Sequence, residues 1–294
     1  MTNPILHKNP IYKVHINTVK CKFCKEPDSV VKYGLYKKIQ QYYCKQYERK
    51  FTDNGSLVGM RTPIEQMSSA MSMFYEGLSL SAIQRQLRQT HGSLPSTSTI
   101  YEWIIRFTDI AVSAESQYRA KTGKIWVADE TVLKIGGQNV WFWDVIDYDT
   151  RFLLASHFSV TRKTSDAEKL MLNALEHVQN IPKTILTDKL RAYLDGIERV
   201  FGADTKHIQS KGFIKEPNTN LIERFHGTLK NRTKVMRGMK SIDTAKIVMD
   251  GWLIYYNFFR PHEGLKGKTP AHMAGINFPF QNWTDVVKGG DTRR

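Results

Sequence analysis

Cysteine is scarce in this sequence and unevenly placed: there are three, Cys21, Cys24 and Cys44, and none beyond. So few cannot build a disulfide framework, and their confinement to one end points to a metal or to nothing. Long apolar runs are also missing, none approaching the roughly 18 residues that a membrane helix needs. The opening MTNPILHKNPIYKVHINTVK has no continuous apolar stretch to act as a signal peptide, so a cytoplasmic chain is expected. Acids are few: 28 Asp and Glu stand against 43 Lys and Arg, a formal net charge of +15. With 41% hydrophobic residues, that excess describes a folded basic protein whose partner is a polyanion, not a disordered polycation.

What is present changes character along the 294 residues. CKFC, then 19 residues, then CKQY has the form of a zinc ribbon, in which two knuckles give four thiolates to one zinc. Tyr47 stands where the fourth Cys belongs, and a phenol is a poor zinc ligand at neutral pH. Either Cys21, Cys24 and Cys44 bind Zn²⁺ with help from a histidine such as His7 or His15, or the ribbon keeps its shape without metal. VVKYGLYKKIQQYYCKQYERKFT alternates apolar and basic residues as a small β-ribbon does, with YG and DNG as turns. From Thr62 the pattern becomes helical. Thr62 to Glu65 is a capping box opening a helix to about Tyr75, a second runs from about Leu80 to Gln89, and Thr99 to Glu102 opens a third after THGSLPS. Three such helices predict a helix-turn-helix. Its reading helix would carry Ser96, Ser98, Thr99 and Tyr101, with Arg85 and Arg88 placed to touch phosphates.

From Lys124 the period shifts to strands. KIWVADETVLKI, NVWFWDVIDY and RFLLASHFSV read as an antiparallel meander, SDAEKLMLNALEHV as a helix capped by Ser165, and KTILTD as a short buried strand. The order β-β-β-α-β-α is that of an α/β fold with a ribonuclease-H-like mixed sheet. The expected organisation is a ribbon over 1–54, a helix-turn-helix module over 55–120, the sheet core over 121–275 and a basic tail over 276–294.

Three acids stand out. Asp129 lies in the middle of a strand, where Asp is depleted and costly unless a cation pairs with it. Asp188 ends the buried strand ILTD, where it could equally cap the next helix. Glu223 follows after 34 residues, on a helix where it could close a capping box begun at Asn220. It sits in a stretch, Lys206 to Lys240, with nine bases and two acids. Together the three form an ordered set on strand, strand end and helix, suited to Mg²⁺ or Mn²⁺, two ions serving one in-line displacement. Lys230, nearly two turns beyond Glu223, returns to the same helix face. Glu130, Asp144 and Asp147 are rival carboxylates, and Asp129 is preferred over Glu130 because adjacent strand residues face opposite sides. His207 and His226 could touch phosphate but are more simply structural.

The pieces ADET, TDKLRAY, NLIERFHGTLK and YYNFFRPHEGLKGKTPA, in this order and with this spacing, resemble the D-D-E transposases of prokaryotic insertion sequences, which share the retroviral-integrase core. The resemblance spans nearly the whole chain, since some of these enzymes carry an N-terminal zinc ribbon and helix-turn-helix. It implies Asp129, Asp188 and Glu223 as the metal-binding triad and Lys230 as the basic residue beyond it. It also implies hydrolysis at an element end, followed by attack of the freed 3′-hydroxyl on target DNA. Arg224, Arg232, Lys234 and Arg237 would line the DNA path, on a homodimer or larger assembly gathered on double-stranded DNA in the nucleoid. The competing expectations are an inert DNA-binding regulator of transposase origin and a nuclease acting on RNA–DNA hybrids.

Overall fold

Alternating apolar and polar residues before Thr52 give three short strands, β1 (Val30–Tyr36), β2 (Ile39–Cys44) and β3 (Arg49–Thr52). They pair antiparallel in that order. A computed structural model of the chain describes residues 19–36, 39–209, 219–235 and 239–289, in two compact units that divide between Pro63 and Ile64. Within the first unit a minimal core of Cys21, Cys44 and Phe51 gathers Phe23, Cys24, Val30 and Tyr42. Gly34, expected in a turn, instead lies inside β1 at φ 150, where the register with β2 shifts. Only glycine enters that region freely, so the bulge falls at this residue.

The second unit opens with α1 (Ile64–Tyr75), α2 (Leu80–His91) and α3 (Thr97–Glu115), which pack on one another. Ser96, and not Thr99, caps α3, its Oγ accepting from the Thr99 N–H at 3.0 Å. That preference is local: a short hydroxyl at the N-cap reaches the third amide beyond it.

A five-stranded mixed sheet follows, from β4 (Ile125–Ile135), β5 (Gln138–Asp147), β6 (Leu153–Ser159), β7 (Thr184–Thr187) and β8 (Lys206–Gln209). The spatial order is β6-β5-β4-β7-β8, with the first three antiparallel and β7 and β8 parallel to β4 and β7 respectively. This is the ribonuclease-H-like arrangement expected from the element order. The strand β8, KHIQ, was not expected, because four mostly polar residues carry no strand signal.

Helix α4 (Thr164–Glu176) crosses from β6 to β7, and α5 (Arg191–Phe201) from β7 to β8. The cap of α4 lies at Lys163, whose N–H donates to Asp166 Oδ2 at 2.9 Å, and not at Ser165. Helix α6 (Asn220–Lys234) packs on β4 and β5, and α7 (Ile242–Ile254) packs on α3 and runs on into a π-helical segment, Tyr255–Phe259. From that segment the Asn257 side chain accepts from the N–H of Leu153 on edge strand β6 at 2.9 Å and donates to its carbonyl at 3.0 Å. Short helices α8 (Pro270–Met273) and α9 (Trp283–Gly289) complete the unit.

Residues 276–289 are no free tail: Phe278, Trp283, Val286 and Val287 are buried, and Trp283 stacks on Tyr75 with ring centroids 4.7 Å apart. The apolar spacing of that segment was outweighed in the sequence by its basic end. Gly251 makes the packing of α7 possible, because a Cβ there would lie 2.0 Å from Tyr75 Oη. Among the described residues no helix is long and apolar enough to cross a membrane.

Candidate active site

Strand β4 pairs β7 only over Ile125–Val127 and Thr184–Leu186. Continuing that register by two residues sets Asp129 beside Asp188, just past the end of β7. The sheet is open there, so the two carboxylates share an unpaired stretch of edge. Glu130 joins them: one oxygen from each of Asp129, Glu130 and Asp188 lies within 4.8 Å of the others. Its strand position does face the other way, towards α5, but beyond the end of β7 its longer side chain can lean around the edge. The expectation that strand alternation removes Glu130 from the cluster is thereby corrected.

Arg162, from the loop before α4, holds this group in place. Its Nε donates to Glu130 Oε1 at 2.8 Å, and its Nη2 contacts the same oxygen and lies 3.8 Å from Asp188 Oδ2. Asp188 Oδ1 meanwhile accepts from the Leu190 N–H at 2.7 Å, shaping the turn into α5. Capping and clustering thus use different oxygens of one carboxylate.

On the opposite face of β4, His226 of α6 lies between two acids. Its Nε2 is 3.0 Å from Asp144 Oδ2 and its Nδ1 3.5 Å from Asp129 Oδ2. Asp129 and Asp144 are cross-strand partners, so one imidazole spans both. Sequence reading set His226 aside as a lone histidine; the signal was its spacing, three residues after Glu223 on one helix face. His207 is structural as expected, its Nε2 bonded to Thr187 Oγ1 at 2.8 Å between β7 and β8. Asp147 is structural too, accepting from the Thr150 amide and hydroxyl and from the Gly123 amide.

Glu223 is exposed in the first turn of α6 and lies outside the acid cluster found among the described residues. Its Oε1 accepts from Thr219 Oγ1 at 3.4 Å, and Thr219, not Asn220, is the N-cap. Since His226 reaches Asp129, Glu223 stands on the same face one turn towards the N-terminus. Two turns beyond it, Lys230 lines a cavity of about 340 Å³ with Lys134, Lys234 and Thr233. Arg224 and Lys234 are exposed, whereas Arg232 is only 3% exposed, its guanidinium 4.1 Å from the Phe74 ring centroid. Arg232 therefore cannot line a surface path as expected, because its position on α6 faces α1. Arg237, His7 and His15 lie outside the described residues.

Burial, with Glu130 and Asp188 adding to it and His226 opposing it, pushes the Asp129 carboxyl up to about 7. Burial likewise raises Glu130, against the pull of Arg162, and lifts Asp144 to about 6 against His226. Glu130 Oε2 is buried with no hydrogen-bond partner among the described residues. Crowded, desolvated carboxylates of this kind fit a hard divalent cation, whose oxygen preference matches the donor set.

In the first unit the thiols of Cys21, Cys24 and Cys44 also lie within 4.8 Å of one another. Both knuckles keep the same backbone turn, with Lys25 and Glu48, each four residues after a first cysteine, at φ 65 and 51. The Tyr47 ring, however, stacks on Phe23 at 6.0 Å, and the neighbour of Cys24 is Ser29 Oγ, 3.1 Å away. Burial pushes the Cys44 thiol up, but bonds from Ser29, the Tyr47 amide and the other thiols outweigh it and bring the group to about 7. In the helical part, Arg85, Arg88, Ser96 and Ser98 are exposed, and Thr99 and Tyr101 are half-buried.

Residues 123–262 match the family model of a DDE domain, of the IS240 transposase type. An uncharacterized protein of Methanocaldococcus jannaschii is 25% identical over 204 residues, which cover 68% of this chain and 89% of that protein. The catalytic core domain of HTLV-2 integrase, solved in complex with magnesium in a trimeric form, is similar at 18% identity and a TM-score of 0.42, covering 53% of this chain and 99% of that one. A chain of the simian T-cell lymphotropic virus intasome is similar at 16% identity and a TM-score of 0.42, covering 72% of this chain and 78% of its own length.

Proposed function

We propose, from the match of residues 123–262 to the model of a DDE domain, that the chain binds the ends of a mobile element and cuts and joins DNA there. The observation that carries this reading is the meeting of Asp129 and Asp188 at the open end of β7, beside a helix anchored to Asp129 through His226. Asp129, Asp188 and Glu223 are the residues proposed to hold Mg²⁺ or Mn²⁺, which supplies Lewis-acid activation and neutralises phosphate charge. Glu130 is the rival third ligand, but Arg162 already grips it.

The protein's own groups do the rest. His226 fixes Asp129 relative to α6, so strand and helix present their acids together. Lys230, with Lys134 and Lys234, offers ammonium groups to the phosphates of a bound strand. Water attacks the scissile phosphorus, a new P–O bond forms, and the old P–O3′ bond breaks to leave a 3′-hydroxyl. That hydroxyl then attacks a target phosphodiester, displacing a second 3′ oxygen. The helices α2 and α3 are the proposed reader of element ends, through Arg85, Arg88, Ser96, Ser98, Thr99 and Tyr101, and two ends require at least a dimer.

The alternative, a DNA-binding regulator with an inert core, draws on Glu223 lying outside the acid cluster. Labelled element-end DNA incubated with the protein in Mg²⁺ or Mn²⁺ separates the two. Cleavage or joining by the wild type, abolished in Asp188→Asn and Glu223→Gln with DNA binding retained, is the expected result. Equal activity in the variants would remove the triad, and a wild type that binds without cutting would favour the regulator.

A further inference from the structure

A cavity of about 530 Å³ lies between the β5–β6 turn, α6 and the chain that follows the π-helical segment, lined by Arg151, Arg224, Arg260, Pro261, His262, Glu263 and Gly264. Arginines from three separate elements line it. Like charges gathered in one cavity repel unless an anion lies among them. None of the three makes an ion pair with a described residue, and Glu263, although it lines the same cavity, pairs with none of them within 4 Å.

The backbone is arranged to hold them there. Arg151 sits at φ 58, a left-handed conformation that a residue with a Cβ adopts only when its surroundings impose it. Its guanidinium lies flat against Gly264, where a Cβ would stand 2.2 Å from Nη1 and 2.3 Å from Nη2. At the cavity wall His262 packs edge-on to Tyr256 at 4.6 Å, with its Nε2 3.2 Å from the Tyr256 carbonyl. Burial, helped by Arg260 and Arg151 and opposed by the Tyr256 carbonyl, lowers His262 to about 4, so the imidazole is neutral and the three arginines supply the cavity's cationic charge.

We propose that Arg151, Arg224 and Arg260 clasp one backbone phosphate of DNA in this cavity. The inference rests on the proposed function in taking DNA as the ligand. Planar forks suit phosphate oxygens, and three of them approaching from different elements fix the position of one phosphate, which a row of surface lysines would not. Arg224 immediately follows Glu223, so the clasp would set the register of the strand at the proposed metal-binding helix.

The test is the salt dependence of binding of the full chain to a labelled DNA duplex without divalent metal, for the wild type, the triple variant Arg151→Gln, Arg224→Gln, Arg260→Gln, and Gly264→Ala, with thermal melting to confirm folding. One shared phosphate predicts that the triple variant loses about 0.9 from the log–log slope and binds about tenfold or more weakly at 0.1 M salt. Three separate contacts would remove about 2.7, and an unchanged slope would mean none; either overturns the clasp. Gly264→Ala, which keeps every charge but displaces the Arg151 fork, is expected to weaken binding by less than the triple variant does, and wild-type affinity there would overturn the clasp. If millimolar inorganic phosphate raises the wild-type melting temperature while the triple variant keeps its slope, the cavity belongs to a free anion and the proposal falls. Failure of the proposed function reads differently: a wild type that binds with the expected slope yet never cuts DNA in Mg²⁺ loses the enzyme and keeps the clasp.

Discussion

The two units each gather three metal-capable side chains, but from opposite kinds of surroundings. In the ribbon the groups are thiols, and two of them, Cys21 and Cys44, are themselves most of the core. In the larger unit the groups are carboxylates on the margin of an extensive apolar interior that includes Trp126, Trp143 and Trp252. A unit whose described core is so small would gain most from a cross-link, whereas a large one has stability enough to tolerate crowded acids. The same count of metal-capable groups therefore points to a proposed structural role in one place and a proposed chemical one in the other.

The sharpest way to break this contrast is at the acids. Asp129→Asn is expected to lower metal-dependent DNA cleavage by about a thousandfold or more, and Glu130→Gln by less than about tenfold, because Arg162 holds Glu130. Single-turnover assays in Mg²⁺ would show it, and the reverse order would make Glu130 the third ligand. At the thiols the effect should be on folding and confined to its own unit. The protein is expected to carry about one zinc that a strong chelator removes, with protection from hydrogen exchange then lost over residues 19–63 and the melting of the larger unit unchanged. Less than about a tenth of an equivalent of zinc would leave the ribbon to its three-residue core.

Buried charge elsewhere in the larger unit tests its tolerance. Burial pushes Glu115 up to about 7 and Asp250 up to about 6. Both line one cavity between α3 and α7, with Arg119 and Lys246 drawing them down. With folded values above the unfolded ones, the folded chain holds more protons, so their contribution to stability is full below about pH 4 and lost as pH rises to about 7. Urea unfolding at pH 5 and pH 8 should show Glu115→Gln flattening this loss by roughly 1–3 kcal/mol. The smallest change expected is at Arg232, whose three guanidinium nitrogens have no hydrogen-bond partner among the described residues. Arg232→Met should stabilise the fold by about 1–2 kcal/mol, read as a higher melting temperature. Destabilisation would mean that its place over Phe74 matters more than its lost hydration.

Much of this was legible in the sequence because strong local signals agreed with the tertiary result. The strands β4 to β7 and the helices α1 to α3 carried clear periods, and Asp129 stood out as an acid in a strand. Four things were not legible. β8 exists because β7 offers it an edge, not because KHIQ prefers to be a strand. Glu130 joins its neighbours because β7 is short, which the spacing of residues cannot reveal. His226 gains its role from Asp144, 82 positions away on another strand, and Arg151 and Arg260 are brought to one cavity only by the closed fold.

The amide of Asn257 has a consequence for how copies of this chain can meet. By taking both the N–H and the carbonyl of Leu153, it stands in for a neighbouring strand at the outer margin of β6. A second molecule approaching there finds that stretch of hydrogen-bonding ladder occupied, so continuous sheet extension through Leu153 requires ejecting a buried side chain. One asparagine, placed by a single π-helical turn, thus guards that stretch of an edge strand against strand addition.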